Sequence, residues 1–423
     1  MSRWRWLLLQ LSRRLWIRAS LIGALGVLAA GLATLGERLF WNPPWDVSQD
    51  AVESVLDVIA SSMLAVTTFS LSVMTAAYGA ATSNVTPRAT KLLMQDRVTQ
   101  NVLSTFIGSF IFGVVGLVAL QTGAYGARGR AILFAVTVAV IGLIVVTLLR
   151  WIDHLTRLGR VGETTDRVEA AAQEALAARL RAPCLGAVPL RDDDPLPPGA
   201  EPVRAAEVGY VQHVDLPALS RIAEACEAEI RLAVLPGAFV HPGRTLAWVL
   251  GGVEPGEEGE DRRADLRRAF TLGAARSFDQ DPRFGLVVLA EIAQRALSPA
   301  VNDPGTAIDV IGRGVRLFAP IARPPHQPEE PAHPRLRAPL LGAADLLDDL
   351  YRPIARDGAG MGEVQLRLQK AFLALAELGD PDLAAAALDQ SRLALERAEA
   401  ALSLEPDKVP LRKLAAAVAA AAG

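Results

Sequence analysis

Long intervals without a charged residue recur through the first 150 positions and then cease. Eighteen uncharged residues lie between Arg18 and Glu37, 30 between Asp57 and Arg88, 30 between Arg97 and Arg128, and 19 between Arg130 and Arg150. A helix needs about 20 mostly apolar residues to cross a bilayer. The pattern therefore predicts four crossings, roughly 17–36, 58–80, 102–123 and 131–149. The fourth is bulky and β-branched and suits a lipid-facing helix. The third carries small residues at helical spacing, such as Ser104 with Gly108 and Ser109 with Gly113. In the second, Ser61, Thr68, Thr75 and Thr82 recur every seven residues, with Ser72 beside them. Seven residues drift only about 20° around a helix, so these hydroxyls share one face. Two uses fit them. Hydroxyls and small residues pack helices together, at about 0.6 kcal/mol per interhelical bond, or the row lines a polar path. No charge interrupts the second crossing, so neither a proton relay nor a charge-selective ring is visible there.

Beyond Arg150 the pattern changes to amphipathic and Pro-punctuated. A helix is expected to continue to Leu180, followed by a Pro-, Asp- and Gly-rich linker over 181–203. Val208–Val214, Glu229–Leu235 and Thr245–Leu250 read as strands and Pro217–Glu227 as a helix. An acidic loop is expected over Gly251–Arg262, and Arg263–Ala275 as a lead-in to helices. Asp281-Pro282 and Asp303-Pro304 each place a capping acid before a Pro at the first helical position, predicting helices Pro282–Leu297 and Pro304–Phe318. The dense prolines of 320–339 suggest an exposed, extended linker. Helices are expected over about 342–353, 361–378, 382–402 and 408–421. The fold class is thus an α-helical membrane protein with four transmembrane helices. Its C-terminal cytoplasmic α+β domain is mostly helical, with a small β-sandwich-like segment. The expected divisions are 1–150 (membrane), 151–202 (connecting helix and linker) and 203–253 (β-rich). They continue as 262–319 (paired capped helices), 320–340 (Pro-rich linker) and 341–423 (helical).

Charge orients the crossings. Twelve basic residues flank one side and three the other, which places both termini in the cytoplasm. Phe40, Trp41 and Trp45 are expected to anchor the outer interface, and Trp4, Trp6 and Trp16 the inner one. A cleaved signal peptide is the competing reading of the N-terminus, but 18 apolar residues exceed the usual 7–15 of its core. Net charge is −3, which argues against a nucleic-acid partner. The two cysteines, Cys184 and Cys226, form no disulfide framework. HExxH, CxxC, Walker A and GxSxG motifs are all missing, so no metal, cofactor or catalytic residue is assigned.

Gly237, Val240, Gly243 and Leu246 have the spacing of one half of the barrel-sandwich fold of biotinyl and lipoyl carriers. No lysine lies between Lys91 and Lys370, so a carrier role is excluded on chemistry. The polar signature lies around the two capped helices: Arg276, Asp279, Asp281, Arg295, Ser298, Asn302 and Asp303. It reads as capping with a salt-bridge network, or as a docking surface. Two stretches, TTFSLSVMTAAYGAATSNVTPRATKLLMQDRVTQNVLSTFIGSF and QDPRFGLVVLAEIAQRALSPAVNDPGTAIDV, resemble the signatures of the bacterial membrane proteins of domain-of-unknown-function family 2254. GYVQHVD and GAFVHPGRTL fit its middle part, and the resemblance spans roughly 15–400. It implies a bacterial inner-membrane protein with this domain order, and no activity or site residue.

Two functions fit this pattern. One is an oligomeric channel or transporter assembled or gated by its cytoplasmic domain. The other is a structural or signalling membrane protein whose cytoplasmic domain docks a protein partner. The bilayer and a second copy of the chain are the expected partners, and an enzyme lacks any recognisable site.

Overall fold

The computed structural model describes Trp6, Ile17, scattered positions from Ser20 to Gly31, and residues 47–94, 96–191, 193–251, 257–323 and 330–423. Two compact units emerge, one of residues Leu7–Thr164 and one of Thr165–Gly423 with Met1–Trp6.

The first unit contains α1 (Gln49–Asn84), α2 (Pro87–Met94), α3 (Arg97–Gln121) and α4 (Ala127–Leu155). Three of them, α1, α3 and α4, are long and apolar enough to cross a membrane. They match the second, third and fourth expected crossings. α1 starts well before its uncharged interval, capped by Ser48, and α4 runs past its interval at both ends, whereas α3 starts at its cap Asp96 and ends within its interval. At 36 residues, α1 is about 54 Å long, beyond the roughly 30 Å of a hydrocarbon core. The first expected crossing is helical at its described positions, Ile17 to Gly31. The rest of it, and Trp4, Trp16, Phe40, Trp41 and Trp45, lie outside the described residues.

Small residues bring α3 against α1. A Cβ on Gly113 would stand 3.2 Å from the Cβ and N of Ala60 and the carbonyl of Leu56. Phe112 and Leu133 pack with Leu56 in one buried cluster, and Leu103 and Phe106 with Ile59 and Met63 in a second. Polar bonds fix the ends. The Trp151 indole of α4 donates to Ser70 Oγ of α1 at 3.0 Å. Asp96 accepts from the Thr99 backbone at 3.0 Å and its hydroxyl at 2.6 Å, and lies 2.8 Å from His154 Nε2 of α4. One carboxylate therefore caps α3 and ties its start to the end of α4.

The expected uninterrupted helix after the fourth crossing is broken. α4 stops at Leu155, and α5 (Val161–Arg181) starts beyond Gly159. That glycine adopts φ +79° with Ala77 close against it, a conformation that side chains disfavour. Apolar periodicity alone does not register such a turn.

The second unit begins within α5. Its sheets comprise β1 (Ala187–Leu190), β2 (Glu201–Arg204), β3 (Gly209–Val214), β4 (Glu229–Leu232), β5 (Phe239–Val240), β6 (Thr245–Leu250), β7 (Phe270–Gly273) and β8 (His333–Pro339). Five strands form a mixed sheet in the order β1-β8-β4-β6-β2, and three an antiparallel sheet in the order β5-β3-β7. Alternation explains the inward faces: Val211, Ile230, Leu232, Leu246 and Leu336 are buried in one shared core with Leu219 of α6 (Leu216–Ala225). The Gly237–Leu246 segment carries the chain from the small sheet into the large one. It is not a half of a carrier domain.

Three expectations need correcting. The linker over 181–203 contains β1 and most of β2. The region around 251–275 holds α7 (Glu257–Arg268) followed by β7, where a loop and a helical lead-in were expected. In the Pro-rich stretch, expected to be an extended linker, Ala319–Ile321 form a 3-10 turn at its start and the last seven residues form β8. This strand pairs in parallel with both β1 and β4, and Leu336 and Ala338 are fully buried. The run Arg335-Leu336-Arg337-Ala338 has strand periodicity, and its prolines sit at the margins, where a missing N–H is tolerated.

The remaining helices are α8 (Pro282–Ala296), α9 (Pro304–Phe318), α10 (Ala343–Asp357), α11 (Gly362–Ala376), α12 (Pro381–Ala401) and α13 (Glu405–Ala422). All lie close to their expected spans. Tyr351 of α10 is at their centre, edge-on to Phe318 at 5.8 Å and Phe372 at 5.2 Å. Its hydroxyl donates to the Ile311 carbonyl at 3.3 Å. Arg313 of α9 reaches Asp309, Asp166 and Glu169 at 2.5–2.6 Å, fastening α9 to α5. Gly285 lets α8 cross α5 closely, since a Cβ there would stand 2.5 Å from that of Ala172.

Candidate functional site

The polar residues around the capped helices do not form one cluster. Arg276, Asp279 and Asp281 lie at the start of α8, while Arg295, Ser298, Asn302 and Asp303 lie at its far end. Fifteen helical residues separate the groups by about 22 Å.

At the far end the contacts are local. Asp303 caps α9, accepting from the Thr306 N–H at 3.1 Å and its hydroxyl at 2.6 Å. These bonds hold its carboxyl below the usual aspartate range. Ser298 donates to the Arg295 carbonyl at 2.7 Å, and the Asn302 N–H donates to the Ser298 carbonyl at 2.8 Å. Asn302 has φ +51°, a region where an asparagine is better tolerated than most side chains. Ser298 and Asn302 border a recess of about 670 Å³ that also touches Asp357 and Met361.

The near end is more deeply built. Asp281 is 2% exposed and caps α8 through the Phe284 N–H at 3.2 Å. Arg276 grips it through two bonds of 2.7 and 2.9 Å. The same guanidinium lies 5.2 Å from the centre of the Phe284 ring, which packs against Phe278. Burial pushes the Asp281 carboxyl up, and Arg276 opposes this. Gly237, at φ +97°, presses its Cα against the Asp281 carboxylate, so a Cβ would overlap it. Beside the pair, Asp279 accepts from the Ser277 hydroxyl at 2.7 Å and the Trp6 indole at 3.1 Å. Trp6 also stacks on His213 at 5.4 Å, which buries it in this unit and not at an interfacial anchor position.

Asp281 and Arg276 face a cavity of about 720 Å³. Sequence reading did not assemble this cavity. Arg179 arrives from the last turn of α5, Arg191 from the end of β1, Arg244 from the turn before β6, and Arg283 from the first turn of α8. Arg283 binds Asp349 of α10 at 2.5 and 3.0 Å, with Asp345 at 3.4 Å. Arg179 is 7% exposed and donates to the Gln280 carbonyl at 3.3 Å. Burial lowers its pKa from the ordinary arginine value, partly offset by Asp281. No spacing in the chain marks these arginines, because four separate elements supply them.

The candidate row on α1 presents differently. Ser61, Thr68, Ser72, Thr75 and Thr82 are all exposed in the single chain. Each hydroxyl donates to the carbonyl four residues back, at 2.8–3.1 Å. Val58 and Phe69 flank the row on one side and Leu64 and Leu71 on the other, all more than half exposed. The opposite face, with Leu56, Met63, Ser70 and Met74, is buried. The row therefore does not pack against α3 or α4 of its own chain.

No group of three or more histidine, cysteine or acidic side chains able to hold a metal occurs among the described residues. Uncharacterized proteins of Mycobacterium tuberculosis and Mycobacterium bovis are each 30% identical to this chain over 296 residues, covering 66% of it and 53% of the relative. The chain thus spans about half the length of the curated relatives it matches. No solved structure matches it. The family described as predicted membrane protein (DUF2254) matches residues 12–374, and with its three apolar spans the chain belongs to that family.

Proposed function

We propose that the protein is an oligomeric channel or transporter of the bacterial inner membrane, its termini and α/β unit in the cytoplasm. The observation that carries this reading is the hydroxyl row of α1. Five Ser/Thr side chains form a stripe on the one broad face of α1 left uncovered. Bonding to their own helix relieves most of the cost of leaving hydroxyls in lipid. It does not supply a reason for a stripe with seven-residue spacing. A second copy of the chain facing the same stripe would supply one. Ser/Thr faces permit close helix approach, and around a symmetry axis they leave a polar line for solutes.

Orientation follows the excess of basic residues around positions 1–18, 88–97 and 150–167. A membrane-impermeant thiol reagent should fail to label a cysteine introduced at position 92 or 200 in intact cells. Labelling there would overturn the orientation.

Flux of small ions through liposomes holding the purified protein tests the function. Thr75→Asp and Thr75→Lys should shift selectivity in opposite directions while the assembly persists, and Thr75→Leu should weaken assembly. Wild-type liposomes that pass none of the ions tested, across a range of pH, would remove the transport reading. The alternative is a non-transporting protein whose cytoplasmic unit docks a partner. Its support is the exposed turn Ser298–Asp303 beside its recess.

A further inference from the structure

The five arginines on the 720 Å³ cavity are not balanced by the acids that share it. Among the described residues, three carboxylates line the cavity with them: Asp281, Asp345 and Asp349. Arg276 engages Asp281, and Arg283 engages the other two. Arg179, Arg191 and Arg244 have no carboxylate within ion-pair distance among the described residues. Among its described residues the cavity wall therefore holds two positive charges in excess of its acids.

Arg179 is the informative member. Its side chain is more than nine-tenths buried, yet among the described residues its one acceptor is a carbonyl at the long distance of 3.3 Å. A guanidinium has five N–H donors in a rigid fork, and burying it with one weak bond is costly. The fold holds this charge at the cavity wall at the end of α5. Arg191 and Arg244 are exposed, and both also border the cavity. The start of α8 is not where an anion would bind, because Asp281 already occupies its first-turn N–H. The open capacity is that of the guanidinium forks, which match phosphate oxygens in pairs. Leu190, Val234, Leu235, Pro236 and Leu340 supply an apolar wall for an organic portion. The volume falls within the range that encloses small-molecule ligands.

We propose that this cavity binds a small organic phosphate bearing at least two negative charges, held by Arg179, Arg191 and Arg244. The site stands independently of any transport activity, because it is built wholly within the α/β unit. Phosphate of this kind reaches a membrane protein either as a soluble metabolite or as a lipid headgroup, and the test separates the two.

Full-length protein in detergent is titrated calorimetrically with ATP and with inorganic pyrophosphate. Adenosine and sodium chloride at matched ionic strength are the controls. In parallel, thermal stability is measured in nanodiscs of phosphatidylcholine with and without phosphatidic acid. Saturable binding of ATP or pyrophosphate, with a Kd below about 1 mM, is expected, and none of adenosine. Arg244→Ala should weaken it about tenfold or more, without loss of folding, because that side chain is exposed. Arg179→Gln should abolish binding while leaving the melting temperature of the ligand-free protein unchanged or higher. A merely structural arginine would lower it. Stabilisation by phosphatidic acid alone, lost in Arg244→Ala, would identify the headgroup as the source. Absence of binding in every arm, or binding unchanged in Arg244→Ala, would overturn the proposal.

Discussion

Asp281 and Asp303 occupy the same position in the same Asp-Pro motif, and the structure predicts that their removal has unequal consequences. Each caps a helix of 15 residues. Asp303 is exposed, and its partners are the N–H and hydroxyl of one residue, Thr306. Asp303→Ala should cost about 0.5–2 kcal/mol, the usual value of a cap. Asp281→Ala removes a cap and also strands a guanidinium, because Arg276 spends two short bonds on this carboxylate and its side chain is 22% exposed. Removing one partner of a buried pair costs about 3–5 kcal/mol. Here the lower end applies, since Arg276 can turn toward the water of the cavity, while Arg179 loses its nearest compensating charge. Asp281→Ala should therefore exceed Asp303→Ala by about 2 kcal/mol. Cys184 provides the assay. It is a free, buried thiol in the core of the α/β unit. In a Cys226→Ser background, pulse labelling of Cys184 against urea reports unfolding of this unit without interference from the membrane helices. Combining Asp281→Ala with Arg276→Met closes a cycle whose coupling should be about 1–3 kcal/mol. Equal urea midpoints for the two single variants, or a coupling near zero, would refute the reasoning.

Two further outcomes follow from the same geometry. Thr306 holds the Asp303 carboxyl below its unfolded value, so this residue stabilises the fold above the ordinary aspartate pKa of about 3.9. That stabilisation is lost as pH falls through the folded value. The stability gap between wild type and Asp303→Asn should be full at neutral pH and shrink on acidification, and a gap that widened would contradict the assignment. Gly285→Ala must separate α8 from α5, because the new Cβ would stand 2.5 Å from the Cβ and 2.8 Å from the Cα of Ala172. A net loss of about 1–3 kcal/mol is expected in the same labelling assay, whereas Gly162→Ala, with open space around it, should be neutral or stabilising.

Elements with a strong local cause were legible in the sequence. Long uncharged intervals mark α1, α3 and α4, because hydrocarbon tolerates few charges. Asp-Pro steps mark α8 and α9, since a cap and a fixed φ act within one turn. Alternation of apolar and polar residues marked Glu229–Leu235, of which β4 takes Glu229–Leu232. Tertiary structure decided the features that depend on remote partners. Strand β8 arises in a Pro-rich stretch because β1 and β4 offer it hydrogen bonds on both edges, and no local propensity encodes that pairing. The helix break at Gly159 follows from close packing against Ala77 and a positive φ. The expected polar cluster separated because a helix of 15 residues keeps its two ends about 22 Å apart, which a linear string of charges does not reveal. The arginine cavity is the clearest case. Arg179, Arg191, Arg244 and Arg283 lie on a helix, a strand end, a turn and a second helix, and only the packing of those elements brings four like charges to one wall.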